Sequence, residues 1–471
     1  VIPGIVHFGP GAFHRAHQAW FIEKLLADDS RWGICAVSLR SSDVRDALAP
    51  QHNLYSLALR GESMGFQVIG AIREILIASE SSQAVLQRLA APTTRVVTAT
   101  VTEKGYCLTG DGLLNPSSPE IAHDLRNPRV PTSLIGFVVE GLRLRRAAGL
   151  TPYVSISCDN LPDNGAKLAR AVIAFAQEID PELARWIEGE AHFPSTMVDS
   201  ITPTTTAQLR RESFEALRLT DRWPVQRESF AQWVIEERGS SAGPDWQSAG
   251  VTLTDDVAAY DRAKLRVVNG SHSTLAYLGS LLGHRTVFEA MSDKTLVTFL
   301  CDLIDHDIRP TLAAPRGMDL HSYVRDVLAR FENPNLRHEL AQIAWDGSQK
   351  LPPRLLSVIE DALRAGRSVD RLCVPVAAWM RFVCRAAKRG DKLVDPLASA
   401  LEEIGSNCSG TGIADVPRFL ALERIFPRTL VAEPRFTRPL TDIYDGKNTR
   451  ELTWPEALRN ALRQELTRDG S

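Results

Sequence analysis

The sequence lacks a charge bias. Fifty-four Lys and Arg stand against 57 Asp and Glu, a net charge of −3, and the basic residues form no long run. That argues against nucleic acid or an anionic membrane surface as a partner. No apolar run approaches the ~20 residues that a membrane span requires. The first residues, VIPGIVHFG, already read as a strand, so no signal peptide is expected. The seven cysteines, at 35, 107, 158, 301, 373, 384 and 408, include no CxxC pair and no zinc-site spacing. Scattered and odd in number, they are expected to be reduced core thiols of a cytoplasmic protein. The eleven histidines supply no HExxH motif. His14 and His17 lie i,i+3 with no third ligand near them in sequence, and a metal-free protein is expected. Internal repeats, low-complexity tracts and long linkers are also missing.

What is present is an ordinary globular composition, 44% hydrophobic and 24% charged, on a chain of 471 residues. That length exceeds one compact core, so more than one domain is expected. Oligomeric state is not legible, and a monomer is compatible with the sequence.

The first recognisable unit is a short apolar strand over 2–8, then Gly9-Pro10-Gly11-Ala12-Phe13, then a helix over 14–27. Strand, Gly-x-Gly turn and helix open a dinucleotide-binding fold, because the glycines let backbone approach a pyrophosphate and the helix start offers free N–H groups. The fingerprint is incomplete, since the third Gly or Ala position holds His14. A second strand over 33–39 ends where an acidic residue would select NAD. The chain offers Ser38, Arg40, Ser41 and Ser42 instead, which leaves NADP open beside NAD. Strands and helices then alternate: a hairpin over 54–59 and 66–77, helix 82–90, strand 95–101, helix 131–148, strand 153–157 and helix 166–177. The fold class is therefore α/β: a Rossmann-like, mostly parallel sheet over 1–255, followed by a mainly α-helical domain over 256–471 with helices at 286–305, 320–331, 337–345, 353–365, 376–387 and 415–424.

Three loops stand out, TEKGY over 102–106, CDNLPDNG over 158–165 and STMVDS over 195–200. The first two follow strands, where open α/β sheets place ligands. A fourth stretch, DRAKLRVVNGSHSTLAYLGSLLG over 261–283, reads as a buried helix from Thr274 onward with an unusually polar start. At about 100° per residue, Lys264, His272 and Asn269 fall at roughly 0°, 80° and 140°, one broad face. The Asn269-Gly270 pair is a turn signal, and a Gly in a helix costs ~1 kcal/mol against Ala, which suggests close approach of a ligand.

Together, FGPGAFHRAHQA (8–19), TEKGY, SCDNLPDNG (157–165), FPSTMVD (193–199), QWVIE (232–236), KLRVVNGSHS (264–273) and DGSQKLP (346–352) resemble the mannitol dehydrogenase family, the polyol-specific long-chain dehydrogenases, over nearly the whole chain. The resemblance implies metal-free, nicotinamide-dependent interconversion of a secondary alcohol and a ketone on open-chain polyols or sugar acids. It implies Lys264 as general base, Asn160 and Asn269 as holders of the alkoxide oxygen, His272 as a substrate-orienting group and Asp199 as a substrate contact. It implies cofactor contacts at Gly9, Gly11, Ala12, Phe13, Arg40, Thr102, Glu103 and Lys104. The chemistry needs such a set, because hydride leaves a carbinol carbon readily only as its oxygen gains negative charge. DGSQKLPPR places Lys350 and Arg354 at i,i+4, where a cation could pair a substrate carboxylate. This favours mannonate and fructuronate over the neutral pairs (mannitol and fructose, arabinitol and xylulose), although such a pair of cations is also ordinary on a solvated helix face. A non-catalytic nicotinamide-binding sensor is the remote alternative. Two departures from the family pattern are Ser200, where Arg often follows MVD, and 237–241, where an acidic stretch is usual.

Overall fold

Short β-branched runs flanked by helices form the core of the N-terminal half, as buried parallel strands require. The computed structural model describes residues 3–61, 63–238, 243–336, 338–449, 452–453 and 455–463. Expectations for Ile2, for residues 239–241 of the 237–241 loop, for Arg337 and for the segment beyond 463 lie outside them. The chain divides into two compact units, Val1–Tyr260 and Asp261–Ser471.

The first unit contains strands β1 (Pro3–Phe8), β2 (Gly33–Ser38), β3 (Tyr55–Arg60), β4 (Met64–Ile69), β5 (Ile72–Ile77), β6 (Val96–Ala99), β7 (Val154–Ser157), β8 (Thr196–Asp199), β9 (Val225–Glu228), β10 (Gln232–Glu236) and β11 (Thr252–Thr254). Five form the main sheet in the order β5-β2-β1-β6-β7, every neighbouring pair parallel. Alternate side chains feed two cores. Ile5, Ile34, Ala36, Val96 and Val154 face one, and Val6, Phe8, Cys35, Val37 and Val97 face the other. Burial on both faces is what makes these strands apolar without alternation. The sheet order reverses at β1, so the C-terminal ends of β1 and β6 flank a topological switch point, where such folds hold their ligands.

Two differences from the sequence expectation concern the smaller sheets. The 66–77 run divides at Gly70-Ala71: β4 pairs antiparallel with β3 as the expected hairpin, whereas β5 joins the main sheet. The polar 195–200 stretch contains a strand, β8, which pairs antiparallel with β10 of the QWVIE motif. Its buried Met197 and Val198 explain why it is a strand despite polar neighbours.

All regular elements described in the second unit are helical. The helix Leu320–Phe331 lies where the sequence places it. The one expected over 376–387 extends to Asp370–Arg389, burying Leu372, Val376, Trp379 and Val383. The reading of seven reduced thiols is corrected at one pair. Cys384 of this helix and Cys408 lie within bonding distance as a disulfide, and the other five cysteines are free. Pairing was not legible because the two residues, 24 apart, meet only when the helix Ala398–Ser406 folds back on Asp370–Arg389. No helix among the described residues is long and apolar enough to cross a membrane.

Candidate active site

Gly9 ends β1 with φ +89, a left-handed conformation that glycine adopts without Cβ strain. A Cβ there would stand 2.1 Å from the Thr100 carbonyl oxygen. Thr100 Oγ1 donates to the Gly9 carbonyl (2.8 Å), so the ends of β1 and β6 are pressed together. Gly11 is the cap of the helix Ala12–Ala16 with no side-chain cap. A Cβ on it would have only the Gly9 carbonyl within reach, at 4.0 Å. The Gly11 N–H itself donates to the Gly9 carbonyl (2.7 Å), so the first-turn N–H groups of the helix after it are the donors a pyrophosphate would use, and the turn fits a dinucleotide.

The expected 14–27 helix is two helices, Ala12–Ala16 and Gln18–Leu25, broken at His17. His14 explains the incomplete glycine fingerprint. The third glycine of that motif normally allows close packing of helix on strand. Here the His14 ring lies flat on His7 of β1, centroids 3.3 Å apart and planes 13° apart. His7 is fixed by Thr98 (2.7 Å) and Thr100 (3.0 Å). Burial holds its pKa down at about 3 and pushes that of His14 well below the usual imidazole range, with His7 adding to it. Neutral stacked rings fill the space a glycine would leave.

Arg40 follows β2 as an exposed side chain ion-paired with Glu120. Thr102, Glu103 and Lys104 form a single helical turn, Thr102–Gly105, with Thr102 at φ 64. That turn is tied to the loop after β7 by a residue that sequence reading passed over. The Asp159 carboxylate accepts from the backbone N–H of Val101 (2.9 Å) and Thr102 (3.0 Å) and from the Tyr106 hydroxyl (2.8 Å). Burial raises the Asp159 pKa, opposed by those hydrogen bonds. The rest of the same loop is equally structural. Asn164 donates to the Thr196 carbonyl (3.0 Å) and accepts from the Thr196 N–H (2.9 Å). A Cβ on Gly165 would stand 2.4 Å from the Phe193 carbonyl oxygen. The CDN-x3-NG motif therefore fixes β8 and the TEKGY turn around Asn160, which is itself exposed. Asp199 ends β8 and is buried. Ser200, in the place where an arginine is usual, donates to the Phe230 carbonyl (2.9 Å).

In the second unit the polar 264–273 stretch is no helix start. It is the middle of a continuous helix, with Val257–Ala263 before it, a π-helical stretch Lys264–Asn269, and Gly270–Leu282 after it. An i→i+5 turn advances only about 82° per residue, so Asn269 falls about 50° from Lys264 rather than about 140°. His272 then comes within about 10° of Lys264 in direction. The three side chains share one narrow face, tighter than the α-helical count gave. π turns cost hydrogen-bond geometry and persist where tertiary contacts hold them. Here Arg266, inside the stretch and 6% exposed, donates to the Thr311 carbonyl (3.0 Å) and hydroxyl (2.8 Å) and pairs with Asp361.

The ligand-approach reading of Gly270 is corrected. A Cβ there would stand 3.2 Å from the Arg354 carbonyl oxygen, so the glycine admits a second π-helical stretch, Pro352–Leu356. Arg354 donates from Nη1 to the Ser273 hydroxyl (3.1 Å) and, at the limit of reach, to the Asn269 carbonyl (3.4 Å). Burial lowers its pKa to about 10. Lys350 donates to the Ile343 carbonyl (3.2 Å), and burial, with Arg354 adding to it, lowers its pKa to about 8. The pair is no solvated face. His272, Lys264, Asn269, Lys350 and Arg354 thus belong to one region of the second unit. Among the described residues no group of three or more His, Cys, Asp or Glu is placed to hold a metal.

Sequence models of the mannitol dehydrogenase Rossmann domain and C-terminal domain match residues 3–248 and 256–446. The chain belongs to the mannitol dehydrogenase family. It is 41% identical over 449 residues to the D-mannonate oxidoreductase of Escherichia coli, covering 93% of this chain and 92% of the relative. It is 38% identical to the polyol:NADP oxidoreductase of Gluconobacter oxydans, covering 82% and 81%. Its fold matches the Pseudomonas fluorescens mannitol 2-dehydrogenase solved with NAD and D-mannitol, with TM-score 0.83 and 35% identity, over 98% of this chain and 94% of that one. As a member of the mannitol dehydrogenase family the chain is an oxidoreductase.

Proposed function

We propose that this protein is a metal-free, nicotinamide-dependent dehydrogenase. It interconverts a secondary alcohol and a ketone on an open-chain sugar acid, with D-mannonate and D-fructuronate as the favoured pair. The reaction rests on one observation, the gathering of Lys264, Asn269 and His272 on one helix face by the π turn. The acid rather than a neutral polyol is favoured by Lys350 and Arg354, which lie half-buried in the same unit and act electrostatically on His272. Mannitol or arabinitol oxidation is the second reading, the mannitol arm supported by relatives named mannitol 2-dehydrogenase.

Lys264 takes the hydroxyl proton. Asn160 and Asn269 donate amide N–H groups to the oxygen as it becomes negative, which favours the transition state over the neutral alcohol. His272 is held neutral by burial, with His338, Arg354, Arg330 and Lys350 adding to the effect; as a neutral imidazole it offers one donor and one acceptor to orient substrate hydroxyls. Asp199 accepts from the substrate chain. Lys350 pairs with the carboxylate, and Arg354, engaged with Ser273, keeps the two π stretches in register. Gly9, Gly11, Ala12 and Phe13 would hold the cofactor pyrophosphate, and Arg40, Thr102, Glu103 and Lys104 would contact the rest of it. NAD is the favoured cofactor, with NADP as the other arm of the test, because Arg40 already has Glu120 as a partner. The nicotinamide, when bound, supplies the hydride acceptor.

The test is optical. Purified protein is mixed with NAD or NADP and with D-mannonate, altronate, mannitol or arabinitol, and cofactor reduction is followed. Reduction with mannonate, unchanged by a chelator, is expected. Absence of reduction with all four substrates, or chelator inhibition reversed by zinc, defeats the proposal. A pH dependence follows as well. A lysine whose pKa is lowered to about 8 carries its charge below that pH and loses it above. The KM for mannonate is therefore expected to climb as pH passes about 8, while that for mannitol climbs less. A mannonate KM that stays flat from about pH 7 to about pH 10 would remove Lys350 as the carboxylate partner.

A further inference from the structure

His338 belongs to none of the sequence motifs, yet it meets His272 in the second unit. The two rings are 5.2 Å apart between centroids and nearly perpendicular, at 85°. Phe331 closes another side of His272, with ring centroids 4.4 Å apart. Both imidazoles leave a buried nitrogen without a hydrogen-bond partner, Nε2 of His272 and Nδ1 of His338, and His272 is only 7% exposed. A buried polar atom left unsatisfied costs about 1–3 kcal/mol, so two on neighbouring rings call for a missing partner.

The charges around them indicate its chemistry. The charged or chargeable groups acting on His272 are His338, Arg354, Arg330 and Lys350, with no carboxylate among them. His338 is held down to about 4 by burial and then by Lys350. The Lys350 ammonium is anchored to the Ile343 carbonyl, five residues beyond His338. That bond links the segment carrying the ammonium to the one carrying the second imidazole. A carboxylate brings two oxygens with about four lone-pair sites and no proton, so it can accept from an ammonium and two ring N–H groups together. A hydroxymethyl group brings one oxygen and a donor of its own, and does nothing to offset the positive charge on the His272 side, whereas Asp346 and Asp395 act on Lys350.

We propose that His338 is a specificity-determining residue, forming with His272 and Lys350 the subsite that takes the carboxylate end of the substrate. This rests on the sugar-acid reading of the function. Its test compares two six-carbon substrates that differ at one end, D-mannonate and D-mannitol, in the full chain with saturating cofactor. In His338→Leu the mannonate-to-mannitol ratio of kcat/KM is expected to fall at least about 30-fold, carried mainly by the mannonate KM, and His338→Gln, which keeps a donor, should recover part of it. His338→Gln also serves if the leucine variant fails to fold, as judged by its melting temperature and cofactor titration. A ratio within about threefold of wild type in both variants, or a wild type that prefers mannitol, overturns the subsite. Lys264→Ala run alongside separates the two levels. If it still turns over, the reaction assignment has failed. If it is inactive while the His338 ratios do not move, only the subsite has failed.

Discussion

Lys264→Ala is expected to lower turnover by about 10³-fold or more while leaving cofactor affinity within a few-fold of wild type. Removing the general base leaves the hydroxyl proton without an acceptor, and hydride transfer from a neutral alcohol would place positive charge on the carbinol oxygen. The fold should tolerate the change. Alanine is the best helix former, and the π turn is held by Arg266 through Thr311 and Asp361. Lys264→Arg should fail almost as completely, because a guanidinium does not give up its proton in the working range. Steady-state reduction of the cofactor measures the first quantity and fluorescence titration the second. Turnover of the alanine variant within a few-fold of wild type would remove Lys264 from the role of base.

Gly9→Ala should have the largest effect in the first unit. The residue sits at φ +89, which strains any side chain, and the new Cβ would be 2.1 Å from a backbone oxygen of Thr100. No rotamer relieves a clash between two backbones. Either β1 and β6 separate at their C-terminal ends, or the turn that the Gly11 N–H closes on the Gly9 carbonyl moves. The expected loss is about 2–4 kcal/mol of stability, with cofactor affinity down at least about 100-fold. Gly11→Ala is the control, since its Cβ meets nothing closer than 4.0 Å. It should melt close to wild type, so that any loss of affinity there reports crowding of the pyrophosphate alone. Thermal melting and cofactor titration of both variants check this. A Gly9→Ala protein with wild-type melting and affinity would contradict the geometry at the strand end.

The parallel sheet was legible because its strands are buried on both faces and its helices are amphipathic, signals that reside in each segment separately. What depended on distant partners was not. His14 looked like a defect in a glycine motif until His7 was found stacked beneath it. Asp159 was passed over because nothing local shows that its carboxylate collects N–H groups from a loop nearly sixty positions earlier. Lys350 and Arg354 could be read as a carboxylate site or as a solvated pair, because spacing records direction around a helix but not what covers it. His338 gave no signal at all, since a lone histidine before a short helix has no pattern. The Lys264, Asn269 and His272 set was visible as a broad face, and the structure narrows it, although the Asn-Gly pair suggested a turn where the helix runs on.

That helix also has a consequence for how such a site can be lost. One π turn holds one residue more than the same length of α-helix, and the surplus acts as a phase shift along the chain. Relaxation of that turn to regular α-helix would leave Lys264, Asn269 and His272 all in the sequence and the helix intact. It would turn Lys264 by about 90° relative to the groups beyond the turn. The site is thus encoded partly in a pitch, and a chain can keep every one of its chemical groups while falling out of step with itself.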